Sequence, residues 1–163
     1  MSTERSRSLS RLALAVALPC VALVLGNLAT MPNIPTWYTN LNKPWFTPPG
    51  AVFGPVWTLL YASMAWAFWR VLRLKPEHSP QRRQAIVAFC VQMALNAGWS
   101  WAFFAARSPG LGLCVIGALM VAITVTILLF WRLDKPAGLI LIPYWLWVAF
   151  ASVLNAAIWR LNP

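Results

Sequence analysis

The sequence predicts an all-α integral membrane protein, built as a bundle of five transmembrane helices. Of its 163 residues, 60% are hydrophobic and only 10% are charged, and the mean hydropathy is +0.65. Soluble domains carry about 25% charged residues, so the bilayer is the natural solvent for this chain. Helices that cross a bilayer need about 20 apolar residues each. Five spans therefore nearly exhaust the length, and we expect a single domain over residues 1–163 with spans at residues 9–30, 52–72, 84–106, 111–131 and 137–159.

The first span follows a basic segment, residues 1–8, which we expect to be flexible. A basic start before an apolar run is also typical of a cleaved secretory signal. Here the run is long enough to span, and no clean small-x-small site ends it. We therefore predict that residues 9–30 are retained as the first helix.

A loop rich in proline and tryptophan separates the first two helices. Pro44, Pro48 and Pro49 remove backbone donors and favour extended conformations in the residues before them. Proline suits a first helical turn, so helix two is predicted to become helical at Gly54 and Pro55. The stretch between Trp37 and Gly50 is therefore predicted to be an ordered aromatic loop at the membrane surface.

The remaining helices are separated by polar breakers. Residues 75–83 are polar and basic, with Pro76 and Pro80 as helix breakers. Helix three is expected to end before Ser108, and a turn over residues 132–136 separates helix four from helix five.

The basic residues are distributed unevenly between the two sides of the predicted bundle. Five spans place ten of the 13 lysines and arginines on the side of the N-terminus, and the other side has Lys43, Arg107 and Arg160. The positive-inside rule then favours a bacterial inner membrane with a cytoplasmic N-terminus, and an outer membrane is the alternative. The formal charge of +10 is thus explained by orientation, without nucleic acid as a partner.

Three predicted helices carry aromatic and amide side chains along one face. Amides that face lipid are costly, so Gln92, Asn96 and Asn155 should point into the bundle. Interhelical hydrogen bonding explains them, and so does a ligand pocket lined by aromatic rings with a few polar groups. Trp57 and Trp147 lie too deep for interfacial anchoring and are the first candidates for ligand contacts. The stripes are Trp57, Tyr61, Met64 and Phe68; Gln92, Asn96, Trp99 and Phe103; and Tyr144, Trp147, Ala151, Asn155 and Ile158.

The opposite face of helix three carries small residues every four positions, including Ala94, Gly98 and Ala102. Such a ladder allows close approach of another helix. The sequence leaves open whether that helix is intramolecular, and we favour a homodimer interface.

Ordinary acid–base and metal chemistry lack their usual residues. The only acids, Glu4, Glu77 and Asp134, lie outside the spans, as does the sole histidine, His78. Paired carboxylates, an intramembrane proton carrier and axial histidine ligation are therefore not available. The three cysteines show no metal-ligand spacing. We expect no catalytic residue, no metal and no tightly required cofactor, and instead the binding of a flat or bulky apolar ligand.

Three blocks of the sequence resemble the TspO/MBR family of tryptophan-rich sensory proteins, which includes the mammalian translocator protein. The resemblance covers residues 12–162, nearly the whole chain. The first block runs from Trp37-Tyr38-x-x-Leu41-x-Lys43-Pro44 to Pro48-Pro49, and continues as Phe53-Gly54-Pro55-Val56-Trp57-Thr58-Leu59-Leu60-Tyr61. The others are Gln92-x-x-Leu95-Asn96-x-x-Trp99-Ser100 and Pro143-Tyr144-x-x-Trp147-x-x-x-Ala151-x-x-Leu154-Asn155.

The resemblance implies a five-helix bundle, often dimeric, whose pocket is closed by the first loop. It also implies binding of porphyrins, including protoporphyrin IX and haem, and of other hydrophobic molecules, in a receptor, carrier or sensor that regulates tetrapyrrole export or a stress response. Lys43 is a candidate contact for the propionates. Carried over by position, the ligand-binding residues are Tyr38, Pro48, Trp57, Tyr61, Asn96, Trp99, Trp147 and Ala151.

Two other functions stay open at this point. One is light- and oxygen-dependent porphyrin degradation, in which Trp57 and Trp147 would be the redox partners. The other is a structural or regulatory membrane protein without a ligand of its own.

Overall fold

The computed structural model describes residues 2–74 and 79–163. Lys75, Pro76, Glu77 and His78, part of the predicted basic loop, lie outside the described residues. The described chain is helical, with five segments long and apolar enough to cross a membrane: Ser8–Asn33, Gly50–Leu72, Pro80–Ala105, Pro109–Leu133 and Lys135–Leu161. The predicted fold class and the number of spans are thus confirmed.

The first helix, α1, extends over Ser2–Thr30 and continues as a 3₁₀ turn over Met31–Asn33. It begins seven residues before the predicted start at residue 9, so residues 2–8 of the segment expected to be flexible are helical. No glycine or proline occurs between Ser2 and Leu18, and nothing in that stretch interrupts the helix. Pro19 is the first residue that could interrupt the helix, and it lies inside α1.

The second helix, α2, spans Gly50–Leu72 and begins a turn earlier than predicted. Pro49 is its N-cap residue, with φ −55° and ψ 140°. Pro55 therefore lies inside the helix instead of in its first turn, and this prediction was wrong. The missing N–H of Pro55 would have bonded the carbonyl of Ala51, so the helix forgoes one hydrogen bond close to its start.

The third helix, α3, spans Ser79–Ser100 and continues as a π-helical turn over Trp101–Ala105. It starts before the predicted residue 84, because Pro80 fits a first helical turn, where its missing N–H costs nothing. In the π turn the Ala106 amide donates to the Trp101 carbonyl over 2.8 Å. Arg107 then takes a left-handed conformation, with φ +51°, and ends the helix.

The predicted fifth helix is divided in two. Helix α4 spans Pro109–Leu133, a short helix α5 covers Lys135–Leu139, and α6 covers Ile142–Leu161. The predicted fifth span is confirmed over Lys135–Leu161, but its helix is interrupted at Ile140 and Leu141. Pro143 has no N–H to donate to the carbonyl of Leu139, so the helical ladder breaks before it.

The π turn also divides the small-residue ladder of α3. Ala94 is exposed, and a Cβ built at Gly98 meets no atom within 4 Å. Ala102, in contrast, is only 7% exposed and packs inside its own chain. Its assignment to a dimer surface is therefore wrong, because the wider π turn rotates it away from the four-residue repeat.

Three stacked phenylalanines join α2, α3 and α4 at the end of the bundle away from the α1–α2 connection. The rings of Phe68 and Phe89 are 4.2 Å apart at 9°, and those of Phe89 and Phe130 are 5.8 Å apart at 17°. All three side chains are almost completely buried. Near them, an ion pair between Arg70 and Asp134 ties α2 to the start of α5, with Nη2 2.9 Å from Oδ2.

Asp134→Asn is expected to lower the free energy of unfolding by about 1 kcal/mol, since it removes a partly exposed, bidentate ion pair. Asparagine still caps α5, where the Asp134 carboxylate accepts from the Ala137 amide over 3.2 Å. Asp134→Ala removes the cap too, and is expected to cost about 1 kcal/mol more. Thermal unfolding in detergent measures both, with exposed Arg132→Gln as the control; an Asp134→Asn variant as stable as the wild type would contradict the role of the pair.

Candidate ligand-binding site

The α1–α2 loop, residues 34–49, lies over the π turn of α3. The Trp37 ring is 5.5 Å from that of Phe103, edge to face, and the Tyr38 ring is 5.5 Å from that of Phe104. A regular helix would turn one of two adjacent phenylalanines away, but both are buried here. The π turn therefore supplies the apolar floor on which the loop rests. Burial raises the pKa of the Tyr38 hydroxyl, which favours its neutral form.

Hydrogen bonds tie the loop and the residue before it to the ends of two helices. The backbone N–H of Asn42 donates to Asn162 Oδ1 over 2.9 Å, and Asn162 Nδ2 donates to the backbone carbonyl of Asn42 over 3.0 Å. Immediately before the loop, Arg107 Nε donates to Asn33 Oδ1 over 3.3 Å, which ties the end of α1 to the end of α3. The loop is thus tied to the end of α6 at Asn42, and the residue that precedes the loop is tied to the end of α3.

Lys43, the candidate propionate contact, is engaged inside the loop. Its ammonium donates to the carbonyls of Thr39 and Leu41, each over 3.1 Å, and lies 4.9 Å from the centre of the Tyr38 ring. An ammonium has three N–H donors, so one donor is left for an anionic group.

A cavity of about 50 Å³ lies under the loop. Three of the predicted site residues line this cavity: Tyr38, Trp99 and Ala151. Pockets for drug-sized ligands measure roughly 300–1,000 Å³, so a large ligand requires the loop or the rings to move. The full lining is Tyr38, Phe53, Trp99, Phe103, Phe104, Ala151, Leu154, Asn155 and Ile158.

Deeper in the bundle, two tyrosines and one amide form what we call the tyrosine–amide cluster: Tyr61, Asn96 and Tyr144. The Tyr61 hydroxyl donates to Asn96 Oδ1 over 2.6 Å, and Asn96 Nδ2 donates to the Tyr144 oxygen over 3.0 Å. Trp57 lies above the cluster, with its ring 5.6 Å from that of Tyr61 and 6.4 Å from that of Tyr144. The cluster joins α2, α3 and α6, and it uses both polar atoms of Asn96.

Asn155 forms a second buried polar link. Its Oδ1 accepts from Trp99 Nε1 over 3.1 Å, and its Nδ2 donates to the Pro109 carbonyl over 2.7 Å. Asn155 is 1% exposed, like Gln92, and Asn96 is 5% exposed. The prediction that the three amides face the interior is confirmed.

Trp147 connects the loop to α2. Its ring is 5.8 Å from that of Phe53 and 5.7 Å from that of Phe150, which in turn lies 6.4 Å from Phe46 of the loop. Pro48 is half-buried at the end of the loop. The predicted site residues thus fall into three neighbouring groups: Tyr38, Trp99 and Ala151 at the cavity; Trp57, Tyr61 and Asn96 below it; and Trp147 with Pro48 beside the loop.

Sequence reasoning missed part of the lining. Phe53 and Leu154 line the cavity but were not among the predicted site residues, whereas Ile158, which also lines it, lay on the predicted stripe of the fifth helix. Phe104 was missed because an α-helical repeat places only Phe103 on the stripe of Trp99. The π turn brings Phe103 and Phe104 inward together, and the pattern of apolar residues in the sequence does not indicate such a turn.

The spans and the site together define a multi-pass helical membrane protein, in which an aromatic chamber lies beneath a tethered loop. The TspO/MBR family model matches residues 15–160. The chain is 40% identical over 159 residues to the tryptophan-rich protein TspO of Chlorobaculum tepidum, covering 97% of this chain and 99% of that one. It is also similar to the tryptophan-rich sensory protein of Cereibacter sphaeroides, at 36% identity, covering 77% of this chain and 77% of that one.

Similarity extends to the human translocator protein, at 32% identity over 126 residues, covering 77% of this chain and 75% of that one. The protein therefore belongs to the TspO/MBR family.

Proposed function

We propose that this membrane protein binds porphyrins, such as protoporphyrin IX and haem, and other hydrophobic molecules in the chamber beneath the α1–α2 loop, as a receptor, carrier or sensor. The observation that carries the proposal is the convergence of aromatic rings from α2, α3 and α6 below a loop tied to the end of α6. Aromatic walls with few polar groups suit a flat apolar ligand. The names of its relatives, a sensory protein and a translocator protein, support sensing or transport.

Binding a macrocycle requires the chamber to expand from about 50 Å³. The loop is the element that can move, because its only regular structure is the short 3₁₀ turn Tyr38–Asn40 and its link to the end of α6 consists of a few hydrogen bonds at Asn42. We infer that it opens for the ligand and closes over it, with the third donor of Lys43 available to a propionate at the rim.

Titration with protoporphyrin IX, followed by tryptophan fluorescence, tests the proposal. Trp57→Ala/Trp147→Ala is expected to weaken binding at least about tenfold, since stacking on each ring contributes roughly 0.5–1.5 kcal/mol beyond area burial. The matched control is Trp66→Ala/Trp131→Ala, whose rings are 40% and 41% exposed on the outer surface. An unchanged affinity in the Trp57→Ala/Trp147→Ala variant, or an equal loss of affinity in the control variant, would rule out this binding site.

Light-dependent porphyrin degradation is the second candidate function. Three oxidisable rings lie close together: the centroid of the Trp57 ring is 5.6 Å from that of Tyr61 and 6.4 Å from that of Tyr144. Illumination of the complex in air distinguishes the two functions: porphyrin absorbance that bleaches no faster than that of free porphyrin supports binding alone.

We further propose a homodimer and a cytoplasmic N-terminus. The open surface at Gly98 and the exposed Ala94 leave space for a second helix. The charge imbalance between the two sides supports the orientation.

A further inference from the structure

A second cavity, of about 210 Å³, lies on the outer surface of the bundle between α4 and α6. Its polar groups are paired with each other, since Trp145 Nε1 donates to Thr124 Oγ1 over 3.0 Å. Leu128 lines it and is 54% exposed within a membrane-spanning helix, so the cavity is a groove open to lipid. We call it the α4–α6 groove, and its lining residues are Thr124, Ile127, Leu128, Ile142 and Trp145.

The groove lies just inside one membrane surface. Ile142 is the first residue of α6, and α4 ends at Leu133. At 1.5 Å per residue, Thr124 at the inner end of the groove is about 14 Å from the end of α4. The groove therefore suits the part of a lipid chain that is next to the headgroup.

Two basic side chains lie at the surface end of the groove. Arg132 is one turn from Leu128 on the same face of α4, about 6 Å along the axis, and Lys135 begins α5. Both basic side chains are exposed. A long arginine side chain lays its apolar stem along an apolar surface while its charged head stays at the level of the lipid headgroups.

The acid beside these two cations is already engaged. Asp134 forms the ion pair with Arg70, and its Oδ1 also accepts from the Ala137 N–H. Within residues 2–74 and 79–163, Arg132 and Lys135 take part in no ion pair. The groove thus ends in two positive charges that the described residues do not neutralise.

We propose that the α4–α6 groove binds an anionic phospholipid, with one acyl chain in the groove and the phosphate between Arg132 and Lys135. The apolar walls and the two cations match the two parts of such a lipid, and basic sites between spanning helices bind anionic headgroups. A guanidinium donates two N–H groups to one phosphate, and an ammonium adds a point charge. The site is at the end of the bundle away from the α1–α2 loop, and it is independent of the ligand chamber.

Native mass spectrometry of the full chain in detergent tests the proposal, with palmitoyl-oleoyl phosphatidylglycerol and palmitoyl-oleoyl phosphatidylcholine as probes. The wild type is expected to bind one phosphatidylglycerol about tenfold more tightly than phosphatidylcholine, because each basic side chain near the headgroup adds attraction. Arg132→Gln/Lys135→Gln is expected to abolish this preference. The matched control, Arg83→Gln/Arg160→Gln, removes the same charge from exposed positions on α3 and at the far end of α6, and is expected to keep it.

A larger side chain in the groove is the second test. Leu128→Trp is expected to weaken binding of both lipids about threefold or more and to leave the preference unchanged, because the ring takes the space and the packing contacts of the acyl chain. Leu111→Trp, the same change at an exposed position in the first turn of α4, is the control.

Three results would overturn the inference: a wild type without the preference, an equal loss of preference in the two charge variants, or unchanged lipid binding in Leu128→Trp. In lipid-free detergent the charge variants are expected to melt with the wild type, so a lost preference reports the lipid contact. A Leu128→Trp variant that keeps its lipid affinity but changes its oligomeric state would assign the groove to a second copy of the chain, and this too would overturn the proposal.

Discussion

Replacement of Gly138 with alanine is expected to prevent stable folding. A Cβ at this position would lie 2.8 Å from the backbone nitrogen of Trp131 and 2.9 Å from its Cα and Cβ. These are mostly backbone atoms of α4, so a side-chain rotation cannot relieve the overlap. Overpacking of this kind costs typically 1–3 kcal/mol, and we expect about 3 kcal/mol or more here because the backbone must shift. Thermal unfolding and the yield of monodisperse protein in detergent measure the loss.

Gly117→Ala is the matched control, because it makes the same change inside α4. A Cβ at Gly117 meets no atom within 4 Å. Alanine there is expected to stabilise the helix by about 0.5–1 kcal/mol, since it is the better helix former. A Gly138→Ala variant that melts with the wild type would show that α4 and α5 do not need this close approach.

Asn162→Ala is expected to increase both the association and the dissociation rate of protoporphyrin IX about tenfold. The substitution removes the two hydrogen bonds that join the α6 end to the Asn42 backbone, each worth about 0.5–1.5 kcal/mol. The loop is closed in the unliganded protein, so a weaker tether lets it open more often, which speeds both the entry and the release of the ligand. The equilibrium Kd should change by less than about threefold, which separates a tether from a ligand contact. Stopped-flow fluorescence measures both rates.

Asn40→Ala is the control for this experiment. Its side chain belongs to the same loop, but its amide donates locally, to the Thr36 carbonyl over 2.8 Å. Rates of this variant are expected to match the wild type. Unchanged rates in Asn162→Ala, or equal acceleration in both variants, would rule out the α6 end as the tether of the loop.

Much of the fold and some of the site were predictable from local patterns. The five spans follow from apolar length, and the inward direction of Gln92, Asn96 and Asn155 follows from the cost of amides in lipid. The aromatic stripe of α2 was also predictable, since Met64 and Phe68 are buried on the same face as Tyr61.

Helix ends were less predictable, because a proline can lie in the first turn of a helix, after a break or inside the helix. Pro80 and Pro109 lie in first turns, Pro143 follows a break, and Pro55 is carried inside α2. Each position is acceptable locally, and packing against neighbouring helices selects among them.

By itself, the sequence determined that this is a five-span membrane protein whose amides and inner aromatic stripes face the bundle. Hydrophobic length and the cost of exposing polar groups to lipid are local properties, and they can be read along the chain. Only the tertiary structure decided which amide is occupied and which is free. Asn96 is paired by tyrosines 35 and 48 residues away, and the loop is tethered by a residue 120 positions away. Gln92 has no hydrogen-bond partner among residues 2–74 and 79–163. Such pairings depend on how the helices pack, which no local pattern encodes.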